Sequence, residues 1–312
     1  MKPFAFVFPG QGSQSVGMLD AWGDHPVVAA ALEESSEALG EDVAKLIKEG
    51  PKEALGLTTN TQPVMLVAGV AAYRVWLAEG GAAPAVVAGH SLGEYSALVA
   101  SGVLSLKDAV RTVRLRAAAM QEAVPVGTGA MAAVLGMNAM DVIAVCADVA
   151  GASGEVVEAV NFNDPAQTVI AGSKAGVEKA SEALKAKGAK RCLPLPVSAP
   201  FHSSLMKPAA EKLRAHLESL TFHVPQIPLV NNIDVLVETD AAKIKDALYR
   251  QAFGPVRWVE CIAAIKDRGV NTVIECGPGK VLTGMCKRID AEMVSGAVFD
   301  PASLADAKTL LA

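Results

Sequence analysis

The sequence predicts an α/β fold with a mainly parallel sheet, into which a smaller domain is inserted. Short apolar runs alternate with longer amphipathic segments along most of the 312 residues, as they do where helices cover a parallel sheet. Between residues 127 and 196 the order changes to strand, helix, strand, strand, helix, strand, which is the pattern of a ferredoxin-like unit. We therefore predict a large discontinuous domain, residues 1–126 and 197–312, and a small inserted domain, residues 127–196.

The individual elements follow from the apolar runs and from helix-start signals. Large-domain strands are predicted at 4–8, 85–88, 229–231 and 272–275. Large-domain helices are predicted at 27–49, 62–79, 106–123, 204–220 and 255–267. Pro255 is thereby placed in a first helical turn, where proline is favoured. The small-domain elements are predicted at 130–135, 139–150, 156–161, 168–171, 174–187 and 190–194.

Composition and charge limit the classes of function. The formal net charge of -5 argues against general nucleic-acid binding, because neutralising phosphates requires a basic excess. The apolar stretch at 63–73 ends at Arg74, well short of the roughly 20 residues that span a bilayer. The apolar run at 4–8 is too short for a secretion signal. Five scattered cysteines without a C-x-x-C pair indicate neither a disulfide framework nor a zinc site. We therefore predict a cytoplasmic protein that does not bind nucleic acid or membrane.

The most informative motif is GHSLG at residues 89–93. It directly follows the apolar run at 85–88 and precedes a helix-like segment, which is the strand–turn–helix context of a nucleophile elbow. The flanking glycines permit a sharp turn that exposes Ser91, and the N–H of Leu92 would face a developing oxyanion. The alternative is a glycine-rich turn capped by serine.

A serine hydroxyl is a poor nucleophile until a base takes its proton, and five histidines are available. His90 adjoins Ser91 but is expected to project away from it. His202 lies in a loop between the inserted domain and a predicted helix, where functional residues concentrate. His202 is therefore the candidate base, and the alternative is a histidine that merely neighbours a helix cap.

Two glycine-rich turns and one arginine leave more than one interpretation open. The loop PGQGSQ at 9–14 lacks the third glycine of a dinucleotide fingerprint, but it could supply the N–H of Gln11 as a second oxyanion donor. The sequence GPGK at 277–280 does not have the Walker A spacing and is predicted to be a turn that starts a helix. Arg116 lies among apolar neighbours, and the pattern alone favours a solvated surface arginine.

Taken together, the motifs resemble those of the bacterial malonyl-CoA:acyl carrier protein transacylases. The resemblance runs in order over nearly the whole chain, and only the tail after about residue 288 adds little. It implies an α/β-hydrolase-like large domain that carries a ferredoxin-like small one. The matching segments are GQGSQ at 10–14, GHSLGEYSAL at 89–98, QEAVP at 121–125, NFN at 161–163, MKP at 206–208 and GPGKVL at 277–282.

The resemblance implies the catalytic roles. Ser91 would accept the acyl group, His202 would be its base, and Gln11 and Leu92 would donate their N–H groups to the oxyanion. In this family a backbone carbonyl orients the imidazole in place of an aspartate, and Gln251 matches that position. This differs from the serine, acid, histidine order of true α/β hydrolases.

The resemblance also implies the substrate contacts. Arg116 would bind the malonyl carboxylate. Asn161 and Asn163 match a stretch that lines the cleft between the two domains. Phe201 resembles the residue of malonyl-selective members, since a bulky ring there leaves little room for a branched acyl group.

The implied partners are malonyl-CoA and acyl carrier protein. The carrier is acidic in this family, so a chain of net charge -5 would meet it with a local cationic face. The candidate docking residues are Lys190, Arg191, Lys287 and Arg288. No metal or prosthetic group is implied, because the coenzyme A thioester is a co-substrate, and a monomer is expected because no extended apolar stripe is left over.

These expectations combine into a ping-pong transfer of malonyl through an acyl-serine, which would supply extender units for fatty acid biosynthesis. Three alternatives remain at this point. The first is a malonyl transacylase of a polyketide pathway. The second is a serine thioesterase or esterase, in which water resolves the acyl-enzyme. The third is a non-catalytic protein that retains the fold and binds acyl-CoA.

Overall fold

The computed structural model describes residues 2–197 and 199–312, and within them two separate sheets are covered by helices. The strands of these residues are β1 Ala5–Phe8, β2 Val86–Gly89, β3 Gly129–Leu135, β4 Val157–Asp164, β5 Gln167–Ser173, β6 Arg191–Pro194, β7 Leu229–Val230, β8 Thr272–Cys276 and β9 Val294–Val298. Their α-helices are α1 Pro26–Leu39, α2 Val43–Glu49, α3 Lys52–Gly56, α4 Thr58–Ala78, α5 Gly93–Ala100, α6 Leu106–Glu122, α7 Ala139–Ser153, α8 Lys174–Ala186, α9 Lys207–Glu218, α10 Ala241–Phe253, α11 Trp258–Asp267, α12 Val281–Ile289 and α13 Pro301–Leu311.

The larger sheet is parallel throughout, with the strand order β7-β2-β1-β8-β9. Its central strand β1 is buried on both faces, which explains its continuous apolar sequence. Phe6 packs edge-on against Trp76 of α4 on one face, while Val7 belongs to the core that contains Trp258 and Ile262 of α11 on the other. The carboxyl ends of β1 and β2 therefore meet at one edge, which is where open α/β sheets bind ligands.

The smaller sheet is antiparallel, with the strand order β4-β5-β3-β6. Helices α7 and α8 share one core with it, built from residues such as Val134, Val145 and Val177. The expected fold class, an α/β-hydrolase-like domain with a mainly parallel sheet plus a ferredoxin-like domain, is confirmed. The exact boundaries at 127 and 196 stay a prediction.

The chain near Val256 joins the two domains, and here a sequence prediction is wrong. Val256 pairs in parallel with Asn161, and its backbone N–H and C=O bond to Val160 and Phe162 of β4, each at 2.9 Å. Because this segment is extended, α11 begins only at Trp258 and Pro255 does not lie in its first turn.

The predicted helix at 27–49 is also wrong, since it is two helices. Gly40 ends α1 with a left-handed φ of 67°, and the Asp42 side chain accepts from the N–H of Lys45 to begin α2.

Other elements differ from their predictions in smaller ways. Within the helix predicted at 204–220, a short 3-10 turn, Ser204–Met206, precedes α9. The sequence patterns did not predict α10, β9 or α13, whereas GPGK at 277–280 is the turn before α12.

Three further features bear on the expected class of protein. All five cysteines are free and buried. In residues 2–197 and 199–312, no helix combines the length and apolar character that crossing a membrane requires. The same residues contain no group of three or more His, Cys, Asp or Glu side chains arranged to hold a metal ion.

Candidate active site

Ser91 lies in the sharp turn between β2 and α5, with a positive φ of 52°. Gly89 and Gly93 make this turn feasible, because the backbone packs too closely there for any side chain. A Cβ on Gly89 would lie 1.9 Å from the backbone of Gly93, and one on Gly93 would lie 2.1 Å from the Phe8 carbonyl. The two glycines therefore meet two steric requirements, one within the turn and one against the end of β1, and the result is a serine that faces a cleft.

His202 supplies a base to this serine. Its Nε2 lies 2.7 Å from Ser91 Oγ, and its Nδ1 lies 2.8 Å from the backbone carbonyl of Gln251. A carbonyl can only accept, so Nδ1 carries the proton and Nε2 presents its lone pair to the hydroxyl. Gln251 is in the last turn of α10, whose final carbonyls have no partner within the helix and favour a positive imidazole.

The pKa of His202 is lowered to about 3, first by burial and then by the charge of Arg116, against the opposing bond to the Gln251 carbonyl. The imidazole is therefore neutral at physiological pH, with the lone pair of Nε2 directed at the serine hydroxyl.

Arg116 is the charged group nearest to this pair in the hydrogen-bond network, and it is only 2% exposed. The interpretation from pattern alone, a solvated surface arginine, is wrong. Arg116 lies on the face of α6 that also carries the buried residues Val113 and Met120, and its guanidinium projects inward. Nη2 lies 3.2 Å from Ser91 Oγ and 3.1 Å from Gln251 Oε1, and Nη1 lies 2.8 Å from Gln62 Oε1.

The guanidinium is held by neutral acceptors and by the ring of Tyr95, whose centroid lies 5.6 Å from Cζ. Burial lowers the pKa of Arg116, and the nearby Tyr95 and Glu94 oppose that effect. Within residues 2–197 and 199–312 no carboxylate contacts the guanidinium directly, and a buried cation of this kind is a strong site for an anionic ligand.

Two backbone N–H groups complete the surroundings of Ser91. The loop after β1 approaches the serine turn so closely that a Cβ on Gly10 would lie 2.7 Å from the His90 carbonyl. Neither the N–H of Gln11 nor that of Leu92 has an acceptor within residues 2–197 and 199–312. Both residues line the same cleft as Ser91.

The cleft has a volume of about 350 Å³ and is lined by both domains. Asn161, Asn163 and Phe201 line it, as do Ser91 and His202. Asn163 Oδ1 lies 2.8 Å from His90 Nε2, which links the serine turn to the small domain. The structure thus brings together the predicted site residues Gln11, Ser91, Leu92, Arg116, Asn161, Asn163, Phe201 and His202, with Gln251 directly behind them.

The four candidate docking residues lie outside the cleft lining and are exposed. At one end of the small sheet, four paired residues form a row across the strands. In order, they are Asp164 of β4, Gln167 of β5, Leu135 of β3 and Arg191 of β6. Arg288 of α12 binds Asp164, with Nε 2.7 Å from Oδ2. Gln167 itself lines the cleft, so the two basic pairs flank the same end of the sheet at its rim.

Three polar residues of the network were not predicted from the sequence. Gln62 holds Arg116 Nη1, Asn232 accepts from the Ser91 N–H at 2.8 Å, and Glu94 accepts from Gln251 at 3.0 Å. Each had a sequence signal. Gln62 directly precedes the apolar run of α4, Asn232 follows the end of strand β7, and Glu94 falls in the first turn after the serine.

Comparisons with known proteins identify the family of this chain. The family described as "Acyl transferase domain" matches residues 5–297. A malonyl CoA-acyl carrier protein transacylase of Salmonella typhimurium is 53% identical over 99% of this chain and 100% of its own length.

Solved structures are similarly close. The crystal structure of an acyl-carrier-protein S-malonyltransferase from Burkholderia pseudomallei is 63% identical, with a TM-score of 0.97 over 99% of this chain and 100% of that one. A malonyl-transacylase solved in complex with its type II polyketide acyl-carrier protein is 51% identical, with a TM-score of 0.96 over 98% and 99% of the two chains.

Proposed function

This chain belongs to the acyl transferase domain family and, within it, to the malonyl CoA-acyl carrier protein transacylases, and from that premise we propose how its residues perform the transfer. The chain moves a malonyl group from malonyl-CoA to the phosphopantetheine thiol of acyl carrier protein. One observation carries the assignment of roles: Ser91 Oγ lies 2.7 Å from His202 Nε2 and 3.2 Å from Arg116 Nη2. Nucleophile, base and carboxylate-binding cation therefore meet at one point.

In the first half-reaction, His202 Nε2 takes the proton of the Ser91 hydroxyl as Oγ attacks the thioester carbon. The carbonyl oxygen becomes an oxyanion, which accepts hydrogen bonds from the N–H groups of Gln11 and Leu92. When the oxyanion collapses, the C–S bond breaks, and the His202 imidazolium returns its proton to the departing sulfur of coenzyme A. A malonyl ester of Ser91 remains.

The second half-reaction reverses these steps with a different thiol. The phosphopantetheine thiol gives its proton to His202 and attacks the ester carbon, and the same two N–H groups bind the oxyanion. The C–O bond to Ser91 then breaks, and the serine recovers its proton from His202.

Selection for a carboxylate-bearing acyl group is the role of Arg116. A guanidinium and a carboxylate make two parallel charge-assisted hydrogen bonds, which acetyl cannot make. Phe201 narrows the cleft beside His202 and disfavours branched acyl groups. Asn161 and Asn163 contribute polar contacts from the small domain.

The acidic carrier protein docks at the rim formed by Lys190, Arg191, Lys287 and Arg288. Asp164, the partner of Arg288, is on β4 and Arg191 is on β6, three strands away in the sheet. Neighbouring strands lie about 4.8 Å apart, so the two residues are about 14 Å apart across the sheet. That width suits a protein surface that approaches the cleft between the two basic pairs.

The remaining assignments follow from this chemistry. The reaction uses no cofactor beyond the coenzyme A thioester, and the enzyme works as a cytoplasmic monomer that supplies extender units for fatty acid biosynthesis. A polyketide pathway is the second candidate, because a relative that is 51% identical was solved with a type II polyketide carrier protein.

Intact-protein mass after brief incubation with malonyl-CoA tests the proposal. We expect a malonyl adduct on the wild-type chain, none on Ser91→Ala, and discharge of the adduct when phosphopantetheinylated fatty-acid carrier is added. Faster discharge to a polyketide carrier would favour the second candidate. Coenzyme A release with no lasting adduct and no carrier product would indicate hydrolysis and contradict the proposal.

A further inference from the structure

A buried carboxylate lies directly beneath the serine turn. Glu94, in the first turn of α5, is 2% exposed and is not one of the residues that line the cleft. Its Oε2 accepts from the backbone N–H of Asn232 and from Nε2 of Gln251, both at 3.0 Å. Two segments that are distant in the sequence therefore converge on one oxygen of this side chain.

This contact is one of three that fix which way the Gln251 amide points. Nε2 of Gln251 faces three acceptors, which are the Ser91 carbonyl at 2.9 Å, Glu94 Oε2 at 3.0 Å and Asn232 Oδ1 at 3.3 Å. A flipped amide would place its oxygen against three oxygens and its NH₂ against the donors of Arg116. Only the observed orientation pairs donors with acceptors, and it presents Oε1 to Arg116 Nη2 at 3.1 Å.

We propose that Glu94 is a positioning residue for malonyl selection: its Oε2 anchors the Gln251 amide, and that amide holds the guanidinium of Arg116 where the malonyl carboxylate binds. The inference rests on the proposed role of Arg116. Glu94 touches neither substrate nor the reacting atoms, and it acts through Gln251.

The hold of Glu94 on the Gln251 amide depends on the length of the Glu94 side chain and not on its charge. Burial raises the pKa of Glu94 to about 7, although the bonds from Asn232 and Gln251 and the charge of Arg116 oppose the shift. A proton on Oε1 leaves Oε2 free to accept, so the ionised and the neutral carboxyl can both hold the amide. Glu94→Gln therefore keeps an acceptor at the same reach, whereas Glu94→Asp keeps the carboxylate but withdraws it by one methylene.

These two variants are the test. The readout is the ratio of kcat/KM for malonyl-CoA to that for acetyl-CoA, measured as coenzyme A release in the first half-reaction. We expect Glu94→Asp to lower the ratio about fivefold, the scale of one net hydrogen bond, and Glu94→Gln to stay within about twofold of the wild type. If Asp keeps the ratio and Gln loses it, or if both substrates decline equally, the proposal is wrong.

A double-substitution cycle tests whether the effect passes through Gln251. Once Gln251→Ala has been made, adding Glu94→Asp should not lower the malonyl-to-acetyl ratio further, and additive losses would overturn the proposal. Glu238→Asp is the matched control, since Glu238 shares a small cavity with Glu94 but pairs with Lys243 on the outside. Absence of any malonyl adduct on the wild-type chain would instead contradict the proposed function, which keeps the two failures distinguishable.

Discussion

In the proposed mechanism the cluster around Ser91 and the basic rim of the cleft both bind negative charge, but they are built in opposite ways. In the cluster, Arg116 is 2% exposed and held by Gln62, Gln251 and the ring of Tyr95. At the rim, the candidate docking residues are exposed, and the Arg288 side chain keeps 54% of its surface in solvent.

The difference separates recognition of a small group from recognition of a protein surface. A buried, fixed cation acts in a medium of low dielectric and needs no reorganisation, so a single side chain carries a large effect. Exposed cations are screened by salt and pay for their ordering, so each contributes little and several must act together. We therefore expect substitutions in the cluster to change which acyl group is accepted, and substitutions at the rim to change how fast the carrier is found.

The comparison is tested most directly by Arg116→Ala. Loss of two charge-assisted hydrogen bonds, each worth roughly 1.5–3 kcal/mol, should lower the malonyl-to-acetyl ratio of kcat/KM by about a hundredfold or more. Ser91 should still be acylated, because its base is intact. Arg116→Lys should restore little of the preference, since an ammonium cannot form the bidentate pair.

Arg114→Ala is the matched control for that experiment. Arg114 lies two residues away on α6 but forms a surface pair with Glu41, with Nη1 2.6 Å from Oε1. Its loss should leave the ratio unchanged. An unaltered ratio in Arg116→Ala would mean that another group selects the carboxylate.

The rate at which an uncharged sulfonyl fluoride inactivates Ser91 reports on the pKa of His202, because the reagent itself has no group that titrates. Because burial and the charge of Arg116 lower that pKa to about 3, the inactivation rate should be nearly constant from pH 8 down to pH 5. A histidine of ordinary pKa, about 6.5, would be only about 3% neutral at pH 5, and the rate would fall about thirtyfold. Such a fall would show that the cluster is better solvated than its geometry indicates.

Arg116→Ala tests the direction in which the charge of Arg116 shifts the pKa of His202. Removing the positive charge should raise the pKa of His202, so the acid limb of the inactivation profile should move to higher pH than in the wild type. Replacing the exposed rim residues Lys190 and Arg191 by glutamate should leave the profile unchanged, because solvent and salt screen exposed charges.

The parts of the site that sequence could predict are those that a short segment determines. The nucleophile was evident because its motif is five consecutive residues, and the contact that excludes a Cβ on Gly89 lies within them. Gly40 likewise ends α1 locally, but the long amphipathic run around it masks that signal. His202 was identified because few histidines were available, and its contact with Ser91 depends on how the two segments fold together.

The parts that could not be predicted depend on contacts between distant segments. Arg116 looked like a surface residue because its buried polar partner Gln62 is 54 residues away, and the partner Gln251 is 135 residues away. Pro255 failed as a helix start because the adjacent Val256 is captured by β4 of the other domain. In each case tertiary hydrogen bonding overrides a local preference, so pattern alone points the wrong way.

Charge reversal at the rim should have the smallest effect. In Lys190→Glu with Arg191→Glu, we expect the KM for carrier protein to rise about three- to tenfold at low ionic strength, since each exposed cation contributes at most about 1 kcal/mol. The rise should shrink between about 0.02 M and about 0.3 M salt as the Debye length shortens. Formation of the malonyl-serine should be unaffected.

Lys174→Glu with Lys179→Glu is the matched control, because both residues are exposed on α8. Helix α8 begins next to Ser173, which pairs with Gly129 at the other end of β3, so these lysines lie on a helix that starts away from the rim. If the control raises KM equally, net charge rather than a local face governs the encounter, and the carrier must dock elsewhere.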